Sequence, residues 1–201
     1  MPLVNFDRLV AQAKANEVVS FPTDTVPGVA VKPEYAQKIY ELKRRSPDKP
    51  LILMAASLEE VWEYVCGDET EKAQWQVIAN KYWPGALTLV LPASDKVTKA
   101  INPTESGTIG VRVPDLEIAR EILTRTGVMA TTSANLSGQP PIEWTEEIAL
   151  TFPELPVLDC WDVEQFGKIG SGQPSTVIQW QSDGSWKILR QGSVSLDATM
   201  A

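Results

Sequence analysis

At 201 residues, 43% of them hydrophobic and 22% charged, the chain has an ordinary globular composition and can bury roughly 70% of the surface its unfolded form would expose. A net charge of −8 argues against a protein that coats DNA, which needs a surplus of lysine and arginine. The sequence contains no histidine, so imidazole catalysis, a Ser-His-Asp triad and mixed Cys/His metal sites are excluded.

In chain order, the opening MPLVNFDRLVAQAKANE spreads its charges and lacks the apolar core of a secretory signal, so a cytoplasmic protein is expected. Residues 5–15 read as an amphipathic helix capped by Asn5, with Phe6, Leu9, Val10 and Ala13 on one face. Residues 17–31 read as strand, tight loop, strand. A second helix is expected over 34–44, with Tyr35, Ile39 and Leu42 inward, ending near SPDKP because Pro47 disfavours helix at the residue before it.

LILMA reads as a strand, and Ser57-Leu58-Glu59-Glu60 as a capping box opening a helix through Val65. Another helix, with Trp75, Ile78 and Tyr82 inward, stops at WPG. Strands are expected at 86–91 and 107–113, a helix over 115–125 with Gly127 at its C-cap, and a strand at VMATT. After the loop SANLSGQPP come a short helix near 145–151 and strands at 156–159, 175–180 and 186–190. Asp183-Gly184 marks the turn between the last two. Interleaved strands and helices without a linker predict one α/β domain over 1–201 with a mixed, twisted sheet. The longest apolar runs, such as ALTLVL, fall far short of the ~20 residues of a membrane helix. Cys66 and Cys160, far apart in unlike contexts, read as small buried hydrophobes.

Several stretches carry more polarity than their surroundings require. FPTDTVPGVA sets two threonines and an aspartate inside an apolar run. KRRSPDKPL gathers four cations at a helix end and in the loop after it, where Arg45 and Lys49 can reach toward a common point. This fits a polyphosphate clamp, although a solvated helix end has the same look. In GTIGVRVPD, alternation puts Ile109, Val111 and Val113 on a core face and Thr108, Gly110 and Arg112 on the other. Gly110 would leave that second face bare for a ligand. Thr108 and Arg112 would stand about 13 Å apart, at ~3.3 Å per residue, so an elongated ligand could touch both. ATTSANLSGQPP offers hydroxyls, an amide and a glycine for phosphate or ribose, residue types that also form ordinary turns. GSGQPS is neither a P-loop nor a dinucleotide fingerprint.

FPTDTVPGVA, KRRSPDKPL, YWPGALTLVLPA, GTIGVRVPD, TTSANLSGQPP, PSTVIQW and ILRQGSV together resemble the YrdC/Sua5 family in order and spacing, from about residue 5 to 195. In length the chain is similar to the short, single-domain members. The resemblance implies an open α/β fold with a concave, positively lined groove. It also implies synthesis of threonylcarbamoyl-AMP from L-threonine, bicarbonate and ATP, with Mg2+ on the phosphates. The product feeds the machinery that makes t6A at position 37 of tRNA. Carried over by motif, Thr25, Arg112 and Ser175 would hold threonine, with Arg112 on its carboxylate. Lys43 and Arg45 would act on the triphosphate with Lys49 nearby. Thr108, Thr131, Ser133, Asn135, Pro141 and Arg190 would surround the nucleotide.

Three positions depart from the family pattern. Pro27 stands where an aromatic is usual, Met54 where many members have histidine, and Ser46 where proline is usual beside Arg45. A second reading is therefore a YrdC/YciO-type paralogue, weak or inactive in catalysis, that binds nucleotide, tRNA or double-stranded RNA through the same groove.

Overall fold

A computed structural model describes residues 3–160 and 170–196. Among these, ten strands form one sheet flanked by helices. The strands are β1 (Leu3–Val4), β2 (Val19–Phe21), β3 (Gly28–Val31), β4 (Ile52–Met54), β5 (Leu87–Pro92), β6 (Thr108–Arg112), β7 (Met129–Ser133), β8 (Val157–Leu158), β9 (Thr176–Trp180) and β10 (Trp186–Arg190). Their order is β1-β8-β2-β3-β7-β4-β6-β5-β9-β10, with β4–β6 and β5–β9 parallel and β3–β7, β4–β7 and β5–β6 antiparallel. The helices are α1 (Phe6–Lys14), α2 (Gln37–Lys43), α3 (Leu58–Trp62), α4 (Glu69–Tyr82), α5 (Glu117–Thr126) and α6 (Thr145–Thr151).

Register explains how the two faces differ. Paired residues share a face, so Val31, Ala130, Leu53, Val111, Leu89 and Ile178 form one continuous apolar row across six strands. That row is the floor of the larger core, which also takes in Ile39 of α2, Trp75 and Ile78 of α4, and Ile148 of α6. On the opposite face, α1 and α5 cover only part of the sheet, packing Leu9, Val10, Ile122 and Leu123 against Phe21, Ala30, Met54 and Met129. Among the described residues no helix packs on the remainder of that face, and the candidate site lies there. The expected alternation of GTIGVRVPD follows: Ile109, Val111 and Val113 are in the larger core.

Asn5 caps α1, its side chain accepting the Arg8 amide at 3.0 Å. Two expectations are corrected. Ser57 makes no capping hydrogen bond; Glu60 reaches past it to the Ala56 amide at 3.1 Å. The capping box instead opens α4, where Asp68 accepts from Glu71 N at 2.8 Å and Glu71 accepts from Asp68 N at 3.0 Å. Asp68→Ala is therefore expected to lower stability by about 1 kcal/mol in urea unfolding. Ser57→Ala should leave the midpoint unchanged; equal losses would remove the distinction.

The second correction concerns the helix expected at 34–44. It splits into a 3-10 turn, Pro33–Tyr35, and α2, with the break at Ala36. The break shifts the helical phase, so Ile39, Tyr40 and Lys43 face inward while Tyr35 is 41% exposed. Arg44 ends α2 in the left-handed region (φ 48°). Among the described residues no helix is long and apolar enough to cross a membrane.

Candidate active site

The helix-free part of the sheet face, among the described residues, holds a cavity of about 430 Å³ whose lining includes Thr25, Arg45, Thr88, Arg112, Ser133, Ser175 and Arg190. Its two ends can be read from β4. Met54 pairs with Arg112 in register, whereas Arg45 donates to the carbonyl of Pro50, four residues earlier on the chain. At ~3.3 Å per residue those ends lie about 13 Å apart.

At the first end, the β2–β3 loop folds across the sheet until it meets Arg112, three strands beyond β3 in the sheet order. Its polarity is internally organised. Thr23 Oγ1 donates to the Val26 carbonyl (2.7 Å), accepts the Thr25 amide (3.2 Å) and shares a hydrogen bond with Thr25 Oγ1 (3.0 Å). The 170–172 backbone clamps the same loop, with Ser171 N on Asp24 O and Gly172 N on Thr25 O, both at 2.9 Å. A side chain at Gly170 (φ 83°) would come within 2.5 Å of the Thr23 and Thr25 carbonyls, so glycine is required at this close approach.

Arg112 is nearly fully buried, and each part of its guanidinium is engaged. Nε donates to Gly85 O (3.0 Å), Nη1 to Thr25 Oγ1 (2.8 Å) and Nη2 to Asp24 Oδ1 (2.5 Å). Burial lowers its pKa below the usual arginine value, and the Asp24 charge opposes that shift. Among the described residues one N–H on each terminal nitrogen has no acceptor. A guanidinium with donors to spare suits a carboxylate.

Beside Arg112, Ser175 Oγ lies 2.8 Å from Thr88 Oγ1, and Arg190 holds the Ser175 carbonyl through Nε (3.1 Å) and Nη2 (2.9 Å). Thr88 was not nominated from the sequence, because ALTLVL reads as a plain core strand. The β5–β6 register continues to place Thr88 opposite Arg112, on the cavity face. Thr23, Thr132 and Gln139 also line the cavity unforeseen.

At the second end, Arg45 Nε donates to Lys49 O (2.8 Å) and Nη2 to Pro50 O (3.1 Å). Lys49 does not join it: the loop after α2 is a turn, and Lys49 is exposed and absent from the lining. Lys43 is 1% exposed and sits behind the cavity wall, donating to Ser133 O (2.5 Å) and Asn135 Oδ1 (3.3 Å). Both acceptors are uncharged. Burial, with Arg45 nearby, pushes the Lys43 ammonium down to about 7. Asn135 is fully employed: it also accepts from Ser133 Oγ (2.5 Å) and donates to Leu136 O and Gln139 O, fixing the loop that forms the wall.

Of the residues nominated from sequence, Thr25, Arg45, Arg112, Thr131, Ser133, Asn135, Pro141, Ser175 and Arg190 line this cavity. Lys43, Lys49 and Thr108 do not; Thr108 lies outside and bonds to Ser106. Gly110 is also not bare floor. A Cβ there would meet Ile52 Cγ2 at 2.7 Å, so cross-strand packing explains that glycine, whereas Gly28 does line the cavity. Pro27 is buried outside the lining, its carbonyl accepting from Ala134 N at 2.8 Å.

The Sua5/YciO/YrdC family model, described as telomere recombination, matches residues 11–192. A threonylcarbamoyl-AMP synthase of Vibrio campbellii is 39% identical over 149 residues, covering 72% of this chain and 79% of that protein. The human threonylcarbamoyl-AMP synthase is 32% identical over 202 residues, covering 96% of this chain and 68% of that protein. The structure of P. abyssi Sua5 complexed with L-threonine superposes with a TM-score of 0.80 at 29% identity, covering 94% of this chain; the present chain spans only 55% of that one. With the conserved fold and nearly the full length matched, the chain belongs to the Sua5/YrdC family.

Proposed function

We propose that this chain is a threonylcarbamoyl-AMP synthase, joining L-threonine, bicarbonate and ATP in the cytoplasm for the t6A modification of tRNA. The observation that carries the reading is the two-ended cavity. One end has a buried arginine with an N–H to spare on each terminal nitrogen among the described residues; the other has Arg45 and the Ser133–Asn135 loop. An amino acid would be held by its carboxylate on Arg112, and a triphosphate would lie toward Arg45, with Lys43 beneath Ser133. The amine of threonine forms a bond to the carbon of bicarbonate and water leaves, giving a carbamate. A carbamate oxygen then attacks the α-phosphorus, and the bond to the β-phosphate oxygen breaks to release pyrophosphate.

This chemistry needs no protein nucleophile. The chain contributes orientation and donors to developing negative charge, which suits a site without imidazole. The lining offers arginines, hydroxyls and amides, and Asp24 is taken by Arg112. Mg2+ would accordingly be carried by the triphosphate oxygens, where it supplies charge neutralisation. The intermediate would pass to the transfer machinery that acts on tRNA.

The decisive measurement is pyrophosphate release with ATP, Mg2+ and bicarbonate. Release that depends on L-threonine, and is absent with L-serine or without bicarbonate, supports the synthase. ATP binding without release would instead favour the non-catalytic paralogue, and titrating RNA affinity against salt would then be the next experiment.

A further inference from the structure

Lys43, which sits behind the wall of the sheet-face cavity, also lines a second cavity of about 540 Å³. Leu42, Leu136, Phe152 and Pro153 give this hollow an apolar lining, and Arg44 and Glu154 stand in the same lining with opposite charges. Both are exposed, and among the described residues neither side chain makes a hydrogen bond or an ion pair. They share one cavity yet do not meet.

The rim of the hollow is apolar as well. Of the seven large hydrophobic residues exposed in the described chain, three (Leu136, Trp144 and Leu150) lie on α6 or in the loop before it. Such clustering, unlike scattered single residues, marks an interaction surface. Leu150 is 83% exposed. It follows Glu147 by three residues and precedes Thr151, so the three share one side of α6. Thr151 lines the hollow, and with Glu147 and Leu136 it lines a smaller one of about 320 Å³ beside it. A protruding leucine therefore stands at the edge of an apolar cavity.

One face thus carries a knob beside a hole and one unpaired charge of each sign. Such a surface complements itself, because a two-fold axis between knob and hole satisfies both copies at once. We propose that this face is the interface of a homodimer. Each Leu150 enters the cavity of the other copy, and each Arg44 pairs with the partner's Glu154. No substrate takes part, so the inference stands apart from the synthase reading. Docking also braces the wall. Ser137 N reaches Lys43 O only at 3.4 Å, and Asn135, Gln139 and Pro141 line both the sheet-face cavity and the smaller hollow. A second copy seated here holds that loop from its outer side.

Sedimentation velocity of the full chain tests this, with a dimer expected to form at a dissociation constant on the order of 10 µM. Leu150→Glu should remain monomeric with an unchanged melting temperature, since the side chain it replaces is exposed. Arg44→Glu and Glu154→Arg should each weaken the dimer at least about tenfold, and the two together should return it to within about threefold of the native value. Hydrogen exchange at the Leu136–Gln139 amides should be slower in the native dimer than in Leu150→Glu. A native chain still monomeric at about 200 µM overturns the proposal. So does a dimer that Leu150→Glu leaves intact, or a double reversal no tighter than either single one. Equal exchange rates would sink the bracing of the wall.

Discussion

Arg112→Ala is expected to reduce threonine-dependent pyrophosphate release by at least about 10³-fold while ATP affinity stays within about threefold. Arg112 sits level with Met54, at the end of the cavity away from Arg45 and Pro50, so its removal strips one end of the ligand and spares the other. The same guanidinium also ties the β2–β3 loop to the sheet through Thr25 and Asp24. Cutting it leaves the Asp24 carboxylate, 14% exposed, without its partner, a defect that costs roughly 3–5 kcal/mol when a buried pair is broken. A second variant separates the two effects. Arg112→Ala combined with Asp24→Asn removes the stranded charge and should recover much of the lost thermal stability, yet none of the activity. Arg112→Lys should also fail, because an ammonium has three donors, and spanning Gly85 O, Thr25 Oγ1 and Asp24 Oδ1 would leave none for a ligand. If threonine and ATP affinities fell together in the double variant, Arg112 would not be reserved for the amino acid.

The parts of this architecture that were legible in the sequence are those with a short-range cause. Period-two alternation in GTIGVRVPD gives the correct core face because one side of β6 packs on Leu53 and Leu89 along a continuous row. Asn5 is readable as a cap because its partner amide is three residues away. The Asp68–Glu71 box was missed because Ser57-Leu58-Glu59-Glu60 carries the same local pattern, and only the path of the chain into each helix decides between them. KRRSPDKPL gives no sign of which cation turns inward. That depends on the phase break at Ala36 and the left-handed turn at Arg44, which bury Lys43 and leave Lys49 outside. The Arg112–Asp24 pair joins residues 88 apart, and the Thr88–Ser175 pair residues 87 apart. No local pattern encodes those contacts; strand alternation and family resemblance pointed to Arg112, and resemblance to Ser175, but neither gave the partner.

Lys43→Met is expected to weaken ATP binding by about 10²-fold while making the ligand-free protein more stable at neutral pH by roughly 1–3 kcal/mol. Lys43 is buried against two uncharged oxygens, so its charged form is disfavoured and its pKa stands at about 7 instead of the ordinary 10.5. Between those values the unfolded chain carries a proton on Lys43 that the folded chain lacks. Stability therefore rises as pH climbs from about 7 toward 10.5, and the full penalty of burying the charge is present below about 7. Lys43→Met should flatten that part of the stability profile and lift its low-pH side. A triphosphate beyond the Ser133–Asn135 wall reverses the balance by offering the missing anion, so ATP binding should draw a proton onto Lys43. Calorimetry near pH 8 in buffers of different ionisation enthalpy should then show close to one proton taken up per ATP by the native protein and none by the variant. ATP affinity unchanged in Lys43→Met would detach Lys43 from the phosphates altogether. Weaker binding with proton uptake intact would mean that another group titrates. With both effects lost together, the position gives up stability in the empty protein to keep an amine that the nucleotide can charge.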